Sequence, residues 1–356
     1  LTPLAGEAIL GASLHVGYFA QAHEGLDPNK TILQSAYYFG SAYVSSYGPT
    51  GSLRWVKMLN RGDNPALKEV DSSANSLAVD SDGNIYVGGQ FYGVQNFTNA
   101  TSPNIVMSGP AGGNRPWVAK LNGTTGEWLW VQADYADGNH GYTFALAVGP
   151  DGNPYAAGIV GGGQPGLRTL FGSSLISAGE APWVAKLHKA DGHGIWAATS
   201  INTNAFYGNA NLAHDLAVDT SGNAYVVGSF YGPQQFGSNT LQPRFYPAGD
   251  HTFFVAKVNG TNATWMWARM GDQGTTPTGA SIGLRVSADD AGAWVSGETR
   301  ANYFYGAGDD GRLTFGGVTI TNTGTNLRYQ TATRADGAYE SIPLRIGSYS
   351  VAVESQ

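Results

Sequence analysis

One phrase recurs through the chain at a nearly constant interval, and that interval limits the folds open to it. It reads SLAVDSDGNIYVGGQF at 76–91, ALAVGPDGNPYAAGIV at 145–160 and DLAVDTSGNAYVVGSF at 215–230, with a degenerate copy, GLRVSADDAGAWVSGE, at 283–298. The turn glycines Gly83, Gly152, Gly222 and Gly292 stand 69, 70 and 70 residues apart. Self-similarity of this kind marks a repeat architecture, in which each unit buries its apolar face against its neighbours.

The phrase reads as a β-hairpin. Leu77 and Val79 flank Ala78 in strand alternation, Asp80–Asn84 carries turn chemistry, and Ile85, Tyr86 and Val87 favour strands. A second phrase follows each hairpin: PWVAKLN at 116–122, PWVAKLH at 182–188 and FFVAKVN at 253–259. After a short turn comes a tryptophan strand: EWLWVQ at 127–132, HGIWAA at 193–198, TWMWAR at 264–269. Four strands, a to d, make one antiparallel blade.

The chain ends complete the count. SLHVGYF at 13–19 reads as strand b, AYVSSYG at 42–48 as strand c and SLRWVKML at 52–59 as strand d. At the other end, 327–337 reads as strand c, 338–344 as strand d, and YSVAVESQ as a last strand a. The expected fold is therefore all-β: a five-bladed β-propeller of four-stranded antiparallel blades, closed by pairing the C-terminal strand with the N-terminal blade. The blades fall roughly at 13–59 completed by 348–356, 75–132, 144–198, 214–269 and 282–344, in one domain spanning 1–356. Residues 1–12 form an N-terminal extension.

Composition agrees with many short strands and tight turns. Hydrophobic residues make up 42%, charged residues only 13%, and there are 51 glycines. The net charge of −7, without a basic block, argues against nucleic acid as a partner. No apolar run reaches the roughly 18–20 residues that span a bilayer, so membrane insertion is not expected. Cysteine is absent, which removes disulfides and thiolate metal sites. The first residue is Leu1, which fits a secreted chain whose signal peptide has been removed.

The phrases LAVDSDGNIYVGG, FGSSLISAGEAPWVAKL at 171–187 and the trailing tryptophan strand resemble the bacterial SBBP-type β-propeller repeat family. The resemblance implies a propeller and an extracellular or cell-surface setting. The repeat here is longer, through insertions between strands b and c, and five copies replace seven. The stretch TATRADGAYESIPLRIGSYSVAVE also resembles the carboxypeptidase regulatory-like β-sandwich domain.

No catalytic constellation emerges: there is no nucleophile elbow, P-loop, dinucleotide fingerprint or HExxH, and no cofactor or metal is expected. The Asp80–Asn84 segment has a calcium-loop look, but Gly149 and Ser221 replace its acids in other copies, so a hairpin turn is the better reading. Asp80, Asp219 and Glu354 share one repeat position, which suits turn structure better than the unlike carboxylates a glycoside hydrolase needs. The d-to-a loops carry Tyr135, His140 and Tyr142 in one blade and Phe206 and Tyr207 in another, with Asp134, Asp137 and Asp272 nearby. These aromatics are the ligand-binding candidates, suited to stacking on sugar rings. Sequons at Asn29, Asn96, Asn99, Asn122, Asn259 and Asn262 indicate accessible loops and are the glycosylation candidates.

The function expected from these readings is non-enzymatic: an extracellular or cell-surface structural and interaction protein. It would associate with itself or with other surface proteins, and could build a filament or surface layer through a terminal β-strand. The alternatives are a carbohydrate-binding, lectin-like propeller with glycan partners, and a glycoside hydrolase.

Overall fold

A computed structural model describes residues 41–61, 71–107, 113–134, 140–161, 166–177, 180–202, 211–243, 251–273, 280–300, 313–314, 318–322, 328–331 and 349–353. The chain separates into two compact units, Leu1–Phe39 and Gly40–Gln356, and all described residues belong to the second.

The strands open with β1 (Tyr43–Tyr47), β2 (Leu53–Met58) and the two-residue β3 (Asn60–Arg61). The next run is β4 (Ser72–Val79), β5 (Ile85–Phe91), β6 (Gln95–Phe97), β7 (Ile105–Met107), β8 (Arg115–Leu121) and β9 (Trp128–Ala133). A third comprises β10 (His140–Val148), β11 (Pro154–Gly161), β12 (Gly166–Leu170), β13 (Ser173–Ser177), β14 (Ala181–Leu187), β15 (Gly194–Thr199) and β16 (Ile201–Asn202). A fourth holds β17 (Leu212–Val218), β18 (Ala224–Phe230), β19 (Gln234–Phe236), β20 (Asn239–Leu241), β21 (Thr252–Val258), β22 (Trp265–Met270) and β23 (Asp272–Gln273). The last contains β24 (Ala280–Asp289), β25 (Gly292–Arg300), β26 (Leu313–Thr314), β27 (Val318–Asn322), β28 (Arg328–Thr331) and β29 (Tyr349–Val353).

Three copies of the repeat form whole antiparallel blades, ordered β4-β5-β8-β9, β10-β11-β14-β15 and β17-β18-β21-β22. We call these blades II, III and IV. Among the described residues the first copy contributes only a c–d hairpin, β1-β2, and the last only an a–b hairpin, β24-β25. These are half-blades I and V. Successive blades lie side by side along their a strands, β4 next to β10, β10 next to β17 and β17 next to β24.

The local structure follows from the repeated phrase. Gly83, Gly152 and Gly222 close the a–b turns at φ of 79°, 77° and 82°, the left-handed region where a side chain is strained. Each a strand then carries a one-residue register shift, between Ala74 and Ser76, Thr143 and Ala145, Ala213 and Asp215, and Gly283 and Arg285. The bulge pushes the a-strand backbone against strand b. A Cβ on Gly89, Gly158 or Gly228 would lie 1.8 Å from the carbonyl oxygen of Ser73, Tyr142 or Leu212. Glycine at those positions is therefore a packing requirement.

Residues just past strand d bind each blade to the insertion of the next copy. β3 pairs with β6, β16 with β19 and β23 with β26. Between blades II and III, where no such pair occurs among the described residues, Asp134 accepts a hydrogen bond from the Phe171 backbone N–H at 3.2 Å. The insertions also fill the core: Phe97 packs edge-on against Trp117 and Trp128, and Phe236 against Trp265.

The C-terminal region departs from the expected phase. β28, expected as strand c beside β25, pairs instead with β27. β29, expected to close a ring on the N-terminal blade, also pairs with β27, placing Val353 opposite Val318 and Val351 opposite Ile320. The result is a separate sheet, ordered β23-β26-β28-β27-β29. A sheet of its own is what the sandwich resemblance implies and the propeller phase does not. Residues 338–344, expected as strand d, and 13–19, expected as strand b, lie outside the described residues.

Candidate functional site

The most ordered polar constellation lies at the blade junctions and recurs three times. In blade II, Lys120 on strand c reaches Asp80 at 3.1 Å and sits over the Tyr86 ring, 4.9 Å from its centroid. In blade IV, Lys257 reaches Asp219 at 3.0 Å and sits 4.5 Å from the Tyr225 centroid. Blade III has Gly149 where the acid stands in the others, and Asp151, two residues on, takes its place: Lys186 reaches it at 2.8 Å and sits 5.1 Å from the Tyr155 centroid. The pairing survives although the acid has moved.

Burial opposes ionisation of Asp80, yet the Asn84 amide and backbone N–H and the Lys120 ammonium outweigh it and hold the carboxyl below its ordinary value. The same balance lowers Asp219 through Asn223 and Lys257, and Asp151 through Lys186 and Asn153. Burial works against the charge of Lys120, but Tyr86 and Asp80 raise its pKa overall. Asp80 also accepts the backbone N–H groups of Asp82 and Asn84. A carboxylate so engaged organises the turn.

The same corner grips the following blade. Tyr86 and Tyr155 donate their hydroxyls to the carbonyls of Gly152 and Gly222, at 3.3 and 2.8 Å. The strand-d tryptophans Trp55, Trp130 and Trp196 donate their indole N–H to the carbonyls of Gly123, Lys189 and Gly260, at 3.1, 3.2 and 3.0 Å. Lys120 and Lys186 point at the same turns, donating to Lys189 and Gly260 at 3.2 and 3.4 Å. The recurrent VAK and tryptophan phrases were the visible signal for this latch, but strand alternation alone does not reveal which neighbour they meet.

The structure describes two of the five aromatic candidates. His140 and Tyr142 lie within strand β10 and not in a loop. Tyr142 stacks on Phe144, the residue at the bulge, with centroids 5.5 Å apart and planes 5° apart. Its hydroxyl accepts a hydrogen bond from Asn114 at 2.6 Å. Tyr135, Phe206 and Tyr207 lie outside the described residues, as do Asp137 and Glu354.

A second polar group, missed in the sequence, surrounds the bulge of blade IV. The His214 ring lies 3.4 Å from the Ser229 hydroxyl. Burial, reinforced by Arg285 and His251, lowers the His214 pKa. Burial raises that of Asp215, whose carboxylate accepts the Val286 backbone N–H of half-blade V at 2.9 Å.

The sequons divide. Asn96 lies in β6, and the Asn99 side chain is held by Trp128 and Pro103, so neither sits in a freely accessible loop. Asn122 and Asn259 cap the c–d turns through their side-chain oxygens, accepting from Thr124 and Thr261. Asn262 is exposed and accepts from Thr264, and Asn29 lies outside the described residues.

Among the described residues, the exposed apolar side chains are concentrated in the half-blades. Tyr43 and Trp294 are 65% and 60% exposed, whereas their counterparts in whole blades, Trp117 and Tyr86, are fully buried. Leu77 on β4 faces the incomplete half-blade I and is 61% exposed, against 8% and 4% for Leu146 and Leu216 at the same repeat position.

Residues 69–90 match the family model described as "Beta-propeller repeat" (SBBP). No curated protein matches the chain. Among solved structures, the chain is similar to "Structure of Dos1 propeller" at 10% identity, covering 72% of this chain and 71% of that one, with a TM-score of 0.24. At that score the likeness carries no argument about fold or function. The class these observations define is an all-β protein built of antiparallel propeller-type blades.

Proposed function

We propose that this is a non-enzymatic structural and interaction protein of the cell surface or extracellular space, and that it assembles with itself. The observation that carries the reading is the apolar surface of the two half-blades, including Tyr43, Tyr47, Val56, Met58 and Trp294. Exposed apolar area of this kind, on strands with an unpaired edge among the described residues, is the usual mark of an interaction surface. The five repeat copies are read as five blades, with the first and last completed by association. β29, the strand expected to close the ring, pairs with β27 on one edge and stands last in that sheet among the described residues.

The non-enzymatic part rests on the acids. Asp80 and Asp219 are spent on lysines and backbone N–H groups, and general acid–base work needs a carboxyl within reach of a substrate proton. The low charge and the net −7 favour protein or glycan partners over nucleic acid. Among the described residues no helix is long and apolar enough to cross a membrane.

Electron microscopy of the full chain tests the self-assembly. Fibres or ordered sheets are expected; single particles at every concentration would overturn it. A second reading, glycan binding, has one supporting observation, the coplanar Tyr142–Phe144 pair. A glycan array is its test, with Tyr142→Ala abolishing any signal due to that pair.

A further inference from the structure

We propose that Asn262 is a modification site: among the described sequons it is the one that the folded chain presents to a sugar-transferring enzyme, and its side-chain nitrogen takes a sugar from a diphosphate-activated donor. Only the setting in which such a donor is met rests on the cell-surface reading. The selection of the residue rests on the geometry of the blades.

The c–d turns of the three whole blades share one frame. Asn122, His188 and Asn259 open the turn, and Gly126, Gly192 and Ala263 donate their backbone N–H to the carbonyls of those residues at 2.8, 2.8 and 3.0 Å. Around that inner donor the chain reads Thr-Gly-Glu at 125–127 in blade II and Asp-Gly-His at 191–193 in blade III. Blade IV departs from both and reads Asn-Ala-Thr at 262–264, an acceptor triplet at the tip of the turn. Ala263 keeps the left-handed backbone there, at φ 61°, without the glycine of the other two blades.

The triplet is exposed at both functional positions, Asn262 and Thr264. The Asn262 Oδ1 accepts the Thr264 backbone N–H at 3.1 Å and the Thr264 hydroxyl at 2.7 Å. Its Nδ2 donates to no group among the described residues. An amide nitrogen is a poor nucleophile, because its lone pair is drawn into the carbonyl. When it gives up a proton, negative charge collects on Oδ1, and two donors already aimed at that atom stabilise the charge. In the transfer, the bond from Nδ2 to the anomeric carbon forms and the bond from that carbon to the diphosphate oxygen breaks. The nucleoside or lipid diphosphate leaves with the electron pair, and the Nδ2 proton passes to a base of the transferring enzyme.

The other described sequons are engaged by the fold. Asn96 lies in β6 opposite Asn60, with its Oδ1 buried. Asn99 commits its Nδ2 to the carbonyls of Pro103 and Trp128. Asn122 and Asn259 are followed by glycines clamped between blades. A Cβ on Gly123 or Gly260 would lie 1.8 or 1.7 Å from the carbonyl oxygen of Gly83 or Gly222. The Gly123 carbonyl accepts the Trp55 indole, and that of Gly260 accepts the Trp196 indole and Lys186. An enzyme must surround all three residues of a triplet, and at these two it would have to part the blades first.

The test uses the folded full chain. Asn29, outside the described residues, is first removed as an acceptor by Asn29→Gln. The chain is incubated with a nucleotide-sugar-dependent N-glycosyltransferase and UDP-glucose, with unfolded peptides spanning the same triplets treated in parallel, and the products are mapped by fragmentation mass spectrometry. The expected result is one hexose on the folded chain, on Asn262, while the peptides accept sugar at Asn122 and Asn259 as well. Thr264→Ala is expected to abolish the product and Thr264→Ser to retain it. A folded chain left unmodified overturns the proposal, as does sugar on Asn122 or Asn259 at a comparable rate. Modification of Asn262 that survives Thr264→Ala also overturns it. None of these results bears on self-assembly, which the sedimentation of the unmodified chain decides on its own.

Discussion

Trp196 donates its indole N–H to the carbonyl of Gly260, 3.0 Å away in the next blade, and this contact recurs as Trp55 to Gly123 and Trp130 to Lys189. Between 59 and 68 residues of sequence separate the partners, so the bond reports blade stacking and nothing local. Trp196→Phe should keep most of the packing and lose the bond. The expected cost is about 1 kcal/mol in denaturant unfolding, whereas Trp196→Ala, which also opens a cavity, should cost about 3–5 kcal/mol.

Lys120 and Asp80 form a largely buried pair beside Tyr86. Lys120→Met leaves the carboxylate with backbone donors alone and should cost roughly 3 kcal/mol. The double variant Lys120→Met/Asp80→Asn should recover part of that loss. A double-mutant cycle with a coupling energy near zero would contradict the pairing.

The pH dependence follows from the direction of each shift. The carboxyls of Asp80, Asp151 and Asp219 titrate below the ordinary 3.8 in the folded chain. Their contribution is complete above that value and is lost as the pH falls through the lowered ones. His214 is also lowered, from 6.5, because its buried ring resists the charge. Its contribution is complete above 6.5 and fades as the pH falls from there toward the folded value. Thermal unfolding should therefore show a first loss just below neutrality, absent in His214→Asn, and a second below about pH 4, present in both.

Ala263 closes the c–d turn of blade IV at φ 61°, where blades II and III use Gly126 and Gly192 at 70° and 76°. A non-glycine residue there is strained by about 1 kcal/mol. Ala263→Gly should raise the unfolding midpoint by about 1 °C, and Gly126→Ala should lower it, since its Cβ would press to 2.8 Å from the Trp55 ring.

The repeat made blades II, III and IV legible down to single turns, because Gly83, Gly152 and Gly222 each need positive φ and announce a hairpin. The bulge was written there too, in Gly89, Gly158 and Gly228, but a register shift leaves no mark in alternation read one strand at a time. The end of the chain misled for a physical reason. YSVAV matches the phrase of strand a, but the alternation of a short strand does not say which edge it pairs with, and β29 lies on β27. The aromatic candidates were read from loop position alone, and Tyr142 shows the limit of that, since its strand runs on through the expected loop. The exposure of Leu77, Tyr43 and Trp294 depends on which strands lie beside them, which no single strand encodes.

The central claim is that the half-blades are interfaces. Sedimentation velocity of the full chain over a wide concentration range tests it most directly. The account predicts a weight-average sedimentation coefficient that climbs with concentration, and a Trp294→Lys variant that stays at the monomer value. A coefficient at the monomer value throughout, for both proteins, would contradict it.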